Sequence, residues 1–172
     1  MTLSRRPDPA EYAAYYHRYV SLVPDGDIVA LLAGQIGDTV TLVGGLSDEK
    51  ARRPYAPGKW SVKQVVGHLI DSERVFAYRA MRIARGDRTP LAGFEQDDYV
   101  REGGFDDRPL RGLLEEFQAV RRATVALFGS LTAEAAARTG VANDFDVSVR
   151  AIAWIAAGHE RHHQGLIRDK YV

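Results

Sequence analysis

The chain has 172 residues, a length that predicts a single domain over residues 1–172 with a sizeable hydrophobic core. Its 23 lysine and arginine residues balance 23 aspartate and glutamate residues, so the composition gives no sign of a nucleic-acid-binding surface. The absence of cysteine excludes disulfides, thiolate nucleophiles and thiolate metal ligands, and no stretch resembles a signal peptide or a membrane span, which predicts a soluble cytoplasmic protein.

The N-terminal segment carries four tyrosines, Tyr12, Tyr15, Tyr16 and Tyr19, at spacings of three and four residues. This spacing predicts a short helix with an aromatic stripe. Because such stripes usually bury apolar area, we expect the stripe to pack over the body of the protein. The alternative is that a tyrosine hydroxyl reaches a functional site. His17 falls off the stripe, and we expect it at the surface.

Four longer segments repeat apolar residues at the three- and four-residue spacings of amphipathic helices. The second begins with a capping box, Ser61 followed by Gln64, and the fourth begins after the N-cap candidate Ser148. The third has Pro109 in its expected first turn, where proline is tolerated. The four predicted helices cover residues 28–45, 60–85, 107–128 and 149–171.

The connecting segments carry turn residues and lack a persuasive strand alternation. Residues 47–59 are predicted to form a connector, residues 132–138 a short helical turn and residues 139–145 a loop. Residues 86–109 lose helical periodicity, and so long a link either covers a pocket or serves as a crossover between helices. The predicted fold is therefore all-α, a four-helix bundle with a long crossover link and extra short helices.

Three of the five histidines lie near the C-terminus, in the sequence GHERHHQ of residues 158–164. Residues four apart share a helix face, so His159 and His163 could bind one divalent metal ion. His162 competes with His163, because a spacing of three also brings side chains together. A third ligand is needed, and the candidate is His68 on the second helix, although a lone histidine there is usually a core residue.

The stretch from His159 to His163 also satisfies the His-Glu-x-x-His pattern of zinc proteases, with Glu160 as the general base. Those proteases take a third ligand from further along the chain. Here only nine residues follow His163, and Asp169 is the only candidate ligand among them. The protease interpretation therefore lacks its third ligand, and we favour Glu160 as a helix-surface residue over Glu160 as a catalytic base.

Two stretches resemble the signature motifs of the DinB-like superfamily, which includes the YfiT-type proteins. They are Trp60-Ser61 with Gly67-His68-Leu69-Ile70-Asp71-Ser72-Glu73, and the sequence GHERHHQGLI of residues 158–167. The similarity extends over nearly the whole chain. It implies a four-helix bundle with a three-histidine divalent metal site, and it carries the ligand roles to His68, His159 and His163, which decides against His162.

The resemblance implies a metal-dependent activity but leaves the reaction open. Members of the superfamily include bacillithiol S-transferases, mycothiol-dependent isomerases and proteins described as metal-dependent hydrolases. We expect first a thiol S-transferase, in which zinc, nickel, manganese or iron deprotonates a low-molecular-weight thiol. The alternatives are a hydrolase with metal-bound water, which needs Glu160 or Glu73 near the metal, and a non-enzymatic bundle with a structural metal or an interaction role.

Asp71, one turn after His68, is the candidate acceptor for the second ring nitrogen of that histidine, an interaction typical of metal-binding histidines. The alternative is an ion pair of Asp71 with Arg74 or Lys63. We further expect a small-molecule substrate, no nucleic-acid or membrane partner, and homodimerisation through an outer face of the bundle.

Overall fold

The computed structural model of the protein describes residue 3 and residues 5–172, and the chain is mostly helical within that range. The described residues do not include Met1, Thr2 and Ser4, which belong to the N-terminal stretch that was predicted to lack a signal peptide. The α-helices are α1 (His17–Val20), α2 (Ile28–Gly44), α3 (Asp48–Arg52), α4 (Val62–Ala84), α5 (Gln96–Glu102), α6 (Leu110–Gly129), α7 (Ala133–Ala137) and α8 (Val149–Lys170). The shorter elements are 3₁₀ turns at Pro9–Glu11, Ala14–Tyr16 and Phe105–Asp107, and strands β1 (Thr139–Ala142) and β2 (Phe145–Ser148).

The long helices α2, α4, α6 and α8 confirm the four predicted helical segments. Helix α4 begins with the predicted capping box, in which Ser61 and Gln64 bond each other's backbone amides. Helix α8 begins where the hydroxyl of Ser148 accepts a hydrogen bond of 3.0 Å from the amide of Ala151. None of the helices in the described part of the chain is long and apolar enough to cross a membrane.

The four long helices pack as a bundle in which α2 does not pack against α4, the next long helix along the chain. Helix α4 packs against α6 and α8, and α2 packs against the same two helices, so α2 and α4 lie diagonally opposite each other. Buried apolar side chains fill the interior in two clusters, one containing Phe128 and Trp154 and the other containing Val65 and Phe117. The contact between α4 and α8 brings together the two stretches that carry the candidate histidines.

Two predicted links contain helices that the sequence pattern did not indicate. The connector 47–59 includes α3, and the irregular link 86–109 includes α5 and the turn Phe105–Asp107. Helices of five and seven residues are too short for apolar periodicity to stand out. The predicted start of α6 was also early, because Arg108 is extended, as residues before proline usually are, and Pro109 is the N-cap.

The predicted loop at residues 139–145 is wrong, since the chain forms an antiparallel hairpin there. Ala142 of β1 pairs with Phe145 of β2, and the two-residue turn between them has φ values of 53° at Asn143 and 65° at Asp144. Positive φ at both positions is typical of a type I′ turn, which matches the twist of the flanking strands. The amide of Leu91 donates to the carbonyl of Val141 at 2.9 Å, so the hairpin also holds the link 86–109 against the bundle.

Candidate metal centre

The three predicted ligand histidines lie side by side between α4 and α8. The Nε2 atom of His159 lies 3.0 Å from Nε2 of His68 and 3.2 Å from Nε2 of His163. All three side chains are buried, and we call them the histidine cluster. His162 is exposed and packs edge-on against the ring of Tyr19, outside the cluster. Of the two competing histidines on α8, it is therefore His163 that joins His68 and His159.

Glycines beside two of these histidines allow other segments to approach the helices closely. A Cβ atom at Gly158 would lie 2.0 Å from the carbonyl oxygen of Tyr19, so the contact between α1 and α8 requires glycine there. A Cβ atom at Gly67 would lie 2.3 Å from Cγ of Phe105, whose ring packs on the backbone of α4. Gly67 and Gly158 thus allow the close packing that holds the next residues, His68 and His159, in position.

Aromatic rings pack against the histidine cluster from several sides. The ring of Trp60 lies 4.8 Å from that of His68, measured between centroids. Tyr19 and Phe76 contact His159 edge-on, at centroid distances of 5.3 Å and 5.7 Å. Such packing limits ring rotation, so the imidazoles are held in orientation before any ligand binds.

Burial keeps the three imidazoles neutral at physiological pH. Desolvation lowers the pKa of His68 to about 4 and is the largest cause that lowers the pKa of His163 to about 3. The pKa of His159 falls well below its ordinary value, first through burial and then through the neighbouring histidines. Neutral imidazole is the form that binds a metal ion, so the cluster is in its binding form.

The arrangement of nitrogen atoms fits a shared metal ion better than hydrogen bonding alone. Metal–nitrogen bonds of about 2.0–2.1 Å at angles of about 90–110° separate ligand nitrogens by roughly 2.9–3.4 Å, which matches both observed distances. Among the described residues, Nδ1 of His163 is buried without a hydrogen-bond partner. In a neutral ring, Nε2 of His159 carries either one proton or one lone pair, so it can form a hydrogen bond to His68 or to His163 but not to both.

A pocket of about 390 Å³ opens beside the cluster, with His68 and His159 in its wall. The remaining wall is mostly aromatic, with several polar side chains spread around it. The aromatic residues are Tyr15, Tyr16, Tyr19, Phe76, Phe94 and Phe145, and the polar residues are Ser72, Arg79, Glu95, Gln96 and Asn143. A pocket of this size, largely apolar with a few polar groups, is typical of sites for small molecules.

Glu160 is not the surface residue that we favoured, and it is not at the histidine cluster either. Its side chain is 1% exposed and accepts hydrogen bonds from Gln35 and Thr39, while Arg121 lies 2.8 Å from Oε2. Arg121 also forms a two-pronged ion pair with Glu73, at 2.6 Å and 2.7 Å. Both carboxylates expected near a metal in a hydrolase are therefore held by Arg121 instead.

The same polar group extends to one further side chain on α8. Nε2 of Gln164 donates to Oγ1 of Thr39 at 2.8 Å, which links α8 to α2 a second time. We call this set the arginine cluster, and its members are Gln35, Thr39, Glu73, Arg121, Glu160 and Gln164.

Asp71 lies against Arg74, at 3.5 Å, and not against His68. The ion pair with Arg74 was one of the two alternatives for this residue, whereas Lys63 pairs with Asp48. Nδ1 of His68 instead has the hydroxyl oxygen of Ser72 within hydrogen-bond distance, at 3.4 Å. Positions 68 and 72 are four apart and share a helix face. Helical spacing alone therefore indicated Ser72 as a neighbour of His68 as strongly as it indicated Asp71.

Several pocket residues were missed or underestimated from the sequence. The tyrosine segment forms a 3₁₀ turn and the four-residue α1, and it both packs on the body and lines the pocket through Tyr16 and Tyr19. Arg79 and Asn143 were not singled out at all. Arg79 lies on the face of α4 that carries His68, whereas Asn143 reaches the pocket only through the hairpin, which the sequence pattern did not indicate.

The sequence matches known proteins across most of its length. A family model described as the DinB superfamily matches residues 31–167, which include all three histidines. A protein named "putative metal-dependent hydrolase" from Oceanobacillus iheyensis is 26% identical over 78% of this chain and 76% of its own length. A protein with the same description from Geobacillus kaustophilus is 27% identical over 81% of this chain and 79% of its own.

The fold also matches a solved structure. YfiT from Bacillus subtilis, described as a probable metal-dependent hydrolase with an unusual four-helix bundle topology, superimposes with a TM-score of 0.75. The match covers 98% of this chain and 95% of that one, at 19% sequence identity. The predicted four-helix bundle of this type is therefore confirmed.

Proposed function

The chain belongs to the DinB superfamily, and we propose that it is a metal-dependent hydrolase that acts on a small molecule. The observation that carries this proposal is the convergence of three neutral imidazoles beside the aromatic pocket, with two of them, His68 and His159, in its wall. In the proposal, His68, His159 and His163 hold one divalent ion. The names of the relatives from Oceanobacillus iheyensis and Geobacillus kaustophilus support the same reaction class.

The donor set supports a catalytic ion over a structural one. Structural zinc sites usually have four protein ligands, whereas catalytic sites have three and leave a position for water or substrate. In the described part of the chain only three donors converge, and two of them face the pocket. Three uncharged ligands also leave the full charge of the ion available to polarise a substrate.

When bound, a divalent ion at this site supplies a Lewis acid that lowers the pKa of water and polarises the bond to be cleaved. The side chains of the protein have the other roles, which are to bind and orient the substrate and to hold the histidines in position. His159 is held by edge-on contacts with the rings of Tyr19 and Phe76. Glu95 is the one carboxylate in the pocket wall, so it is our candidate general base.

The test begins with metal content and hydrolysis measured on the same preparations. Protein made without an affinity tag is loaded with zinc, nickel, manganese or iron(II), since imidazole suits several of these ions. We expect about one ion per chain and metal-dependent cleavage of at least one class among chromogenic esters, anilides and phosphate esters. Loss of binding and cleavage in His163→Ala is the expected result.

The neighbouring histidine provides the matched control. His162→Ala removes an exposed imidazole from the same turn of α8, so it should keep both the metal and the activity. Equal metal binding by His163→Ala and the unmodified protein would refute the ligand assignment. Full metal binding without cleavage of any substrate class would leave the site standing and refute the hydrolase.

One observation favours a second candidate, a thiol S-transferase that uses a low-molecular-weight thiol. Glu73 and Glu160 are both occupied by Arg121, so the deep part of the site has no carboxylate to activate water. A thiol brought by the co-substrate needs no such base, because its own pKa falls on a metal ion.

Both reactions can be compared on one metal-loaded sample. Cysteine or glutathione with monobromobimane reports thiol transfer, and the chromogenic panel reports hydrolysis. Hydrolysis that falls in Glu95→Gln supports the first proposal. Thiol transfer that is unaffected by Glu95→Gln, without any hydrolysis, supports the second.

A further inference from the structure

Arg79 is a buried cation without a carboxylate partner. Its side chain is only 5% exposed, on the face of α4 that lines the pocket. Nη2 donates to the carbonyl oxygen of Ala92 at 2.7 Å, and the hydroxyl of Tyr16 lies beside the guanidinium. Among residues 3 and 5–172 no carboxylate forms an ion pair with it, and the contacts with Ala92 and Tyr16 leave some of its five N–H donors for a ligand.

A buried charge that lacks a counter-charge is costly, because its hydration is lost and nothing replaces it. Arg121, the other large buried arginine, satisfies this requirement with two carboxylates. Burial lowers the pKa of Arg79 from its ordinary value, yet an arginine stays protonated at any physiological pH. The protein therefore maintains a permanent positive charge in the pocket wall, and an anionic ligand would neutralise it.

Arg79 and the histidine cluster lie toward opposite ends of one wall. His68, Ser72, Phe76 and Arg79 follow one another along α4, and all four line the pocket. His68 and Arg79 are eleven residues apart on α4, which corresponds to a rise of roughly 16 Å along the helix. The long arginine side chain spans part of this distance. A ligand that touches both ends would therefore keep its anionic group on the order of 10 Å from the metal.

The wall between these two ends is apolar and aromatic. Phe76 lies on α4 between His68 and Arg79, Tyr19 lies across from it on α1, and Phe94 and Phe145 come from the link and the hairpin. Aromatic rings on several sides suit a flat or unsaturated apolar body. A pocket of about 390 Å³ holds a small molecule of this kind.

We propose that Arg79 binds the anionic group, a carboxylate or phosphate, of a substrate whose apolar body lies along the aromatic wall and whose far end meets the histidine cluster. Arginine suits both anions because its planar fork donates two parallel hydrogen bonds. The assignment of the far end rests on the proposed hydrolase, whereas anion binding at Arg79 does not.

Glu95 is the only competing charge in the wall, and it does not neutralise Arg79. Its side chain is exposed, and it accepts a hydrogen bond from the amide of Asp97 at the start of α5. An exposed carboxylate is hydrated and screened by salt, so its repulsion of an anion near the buried guanidinium is weak.

Binding of three matched probes tests the proposal without any need for catalysis. 4-Phenylbutyrate, 4-phenylbutyramide and 3-phenylpropyl phosphate share one apolar body, the phenylpropyl group, and differ in the end group. Calorimetric titrations of metal-free and zinc-loaded protein keep binding at Arg79 apart from binding at the metal. We expect metal-free protein to bind phenylbutyrate or phenylpropyl phosphate at least about tenfold more tightly than the amide, and the stronger of the two identifies the anion.

Substitutions then assign the preference to one side chain. Arg79→Gln should reduce the difference between anion and amide to about twofold or less. Arg79→Lys keeps the charge but loses the fork, and should retain part of the preference. Arg82→Gln, on the same helix but engaged by Asp87, should behave like the unmodified protein. Equal binding of anion and amide by the unmodified protein, including no binding of either, would overturn the proposal.

A measurement on the unmodified protein covers the case in which Arg79→Gln fails to fold. Phenylglyoxal modification of Arg79, followed by mass spectrometry, should slow at least about threefold with the anionic probe and remain unchanged with the amide. Equal protection by both probes would refute the assignment. Tight anion binding by a protein that hydrolyses nothing would refute the hydrolase and leave the anion site intact.

Discussion

Helices α4 and α8 carry two buried polar clusters that differ in how completely their members are paired. In the arginine cluster, Arg121 joins Glu73 to Glu160, and neighbouring amides and hydroxyls from α2 occupy the remaining carboxylate positions. In the histidine cluster, the ring nitrogens of three neutral imidazoles have only one another and one distant hydroxyl within hydrogen-bond distance among the described residues. The first cluster is closed within the protein, whereas the second opens on a pocket.

The contrast separates a structural role from a binding role. A closed network of charges holds helices together, because each group already has its partner within the fold. Ring nitrogens without hydrogen-bond partners on a pocket wall add no comparable stabilisation to the fold until a ligand binds them. The two buried arginines repeat the contrast, with Arg121 held by two carboxylates and Arg79 by one carbonyl oxygen. Each prediction below tests this difference.

The largest expected effect is a loss of stability of the metal-free protein in mild acid. In the unfolded chain the three histidines take up protons near pH 6.5, whereas burial depresses their folded pKa values, to about 4 for His68 and about 3 for His163. Their stabilising contribution is therefore present above pH 6.5 and is lost as the pH falls. Urea unfolding should show a loss on the order of 3–5 kcal/mol between pH 7 and pH 5.

The control for this prediction is a chain with one buried histidine fewer. His68→Phe should lose less stability over the same pH interval, because the unfolded state gains one proton less on acidification. A pH dependence identical to that of the unmodified protein would mean that His68 is not held neutral by burial.

Arg121→Met should cost about 3–5 kcal/mol, because it leaves two carboxylates buried without a cation. Arg122→Met is the matched control, since this neighbour on α6 is exposed and its loss should change the free energy of unfolding by about 0.5 kcal/mol or less. Both values are measured by urea unfolding at pH 7. A cost below about 1 kcal/mol for Arg121→Met would show that the arginine cluster does not hold the bundle together.

Glu160→Gln should destabilise the protein but leave its chemistry intact. The amide keeps the shape of the side chain while weakening bonds to Arg121 and Thr39, at a cost of about 1–3 kcal/mol. Hydrolysis per folded molecule should stay within about twofold. Removal of a general base would instead lower the rate by about 10²–10⁴, the result expected of Glu160 in the zinc-protease interpretation.

The sequence predicted the fold and the histidine cluster because both depend on local signals. Helix α4 follows from its capping box and apolar periodicity, and the four-residue spacing of His159 and His163 places them on one face of α8. His68 was already the candidate for the third ligand, and the resemblance to the DinB-like superfamily decided for His163 over His162. The same local signals predicted the ends of α4 and α8 to within about two residues, the usual scatter of helix ends.

The missed features depend on which segments meet in three dimensions. Glu160 was favoured as a surface residue, yet α2 packs against α8 there and Arg121 of α6 reaches its carboxylate. Arg79 belongs to the pocket because the link 86–109 folds back over α4. The hairpin has strands of only four residues, and its best signal was the pair Asn143-Asp144, which favours a tight turn.

The smallest effect concerns how His68 is oriented. Ser72→Ala removes the hydroxyl that lies 3.4 Å from Nδ1 of that ring. It should weaken metal binding by about tenfold, which is the lower end of the effect of losing a partner of a metal-binding histidine, because the contact is long. Asp71→Asn should leave the affinity unchanged, since Asp71 contacts Arg74 instead. Competition with a chromogenic chelator measures both. The reverse result would restore Asp71 as the partner of His68, whereas no change in either variant would mean that the packing of Trp60 alone orients the ring.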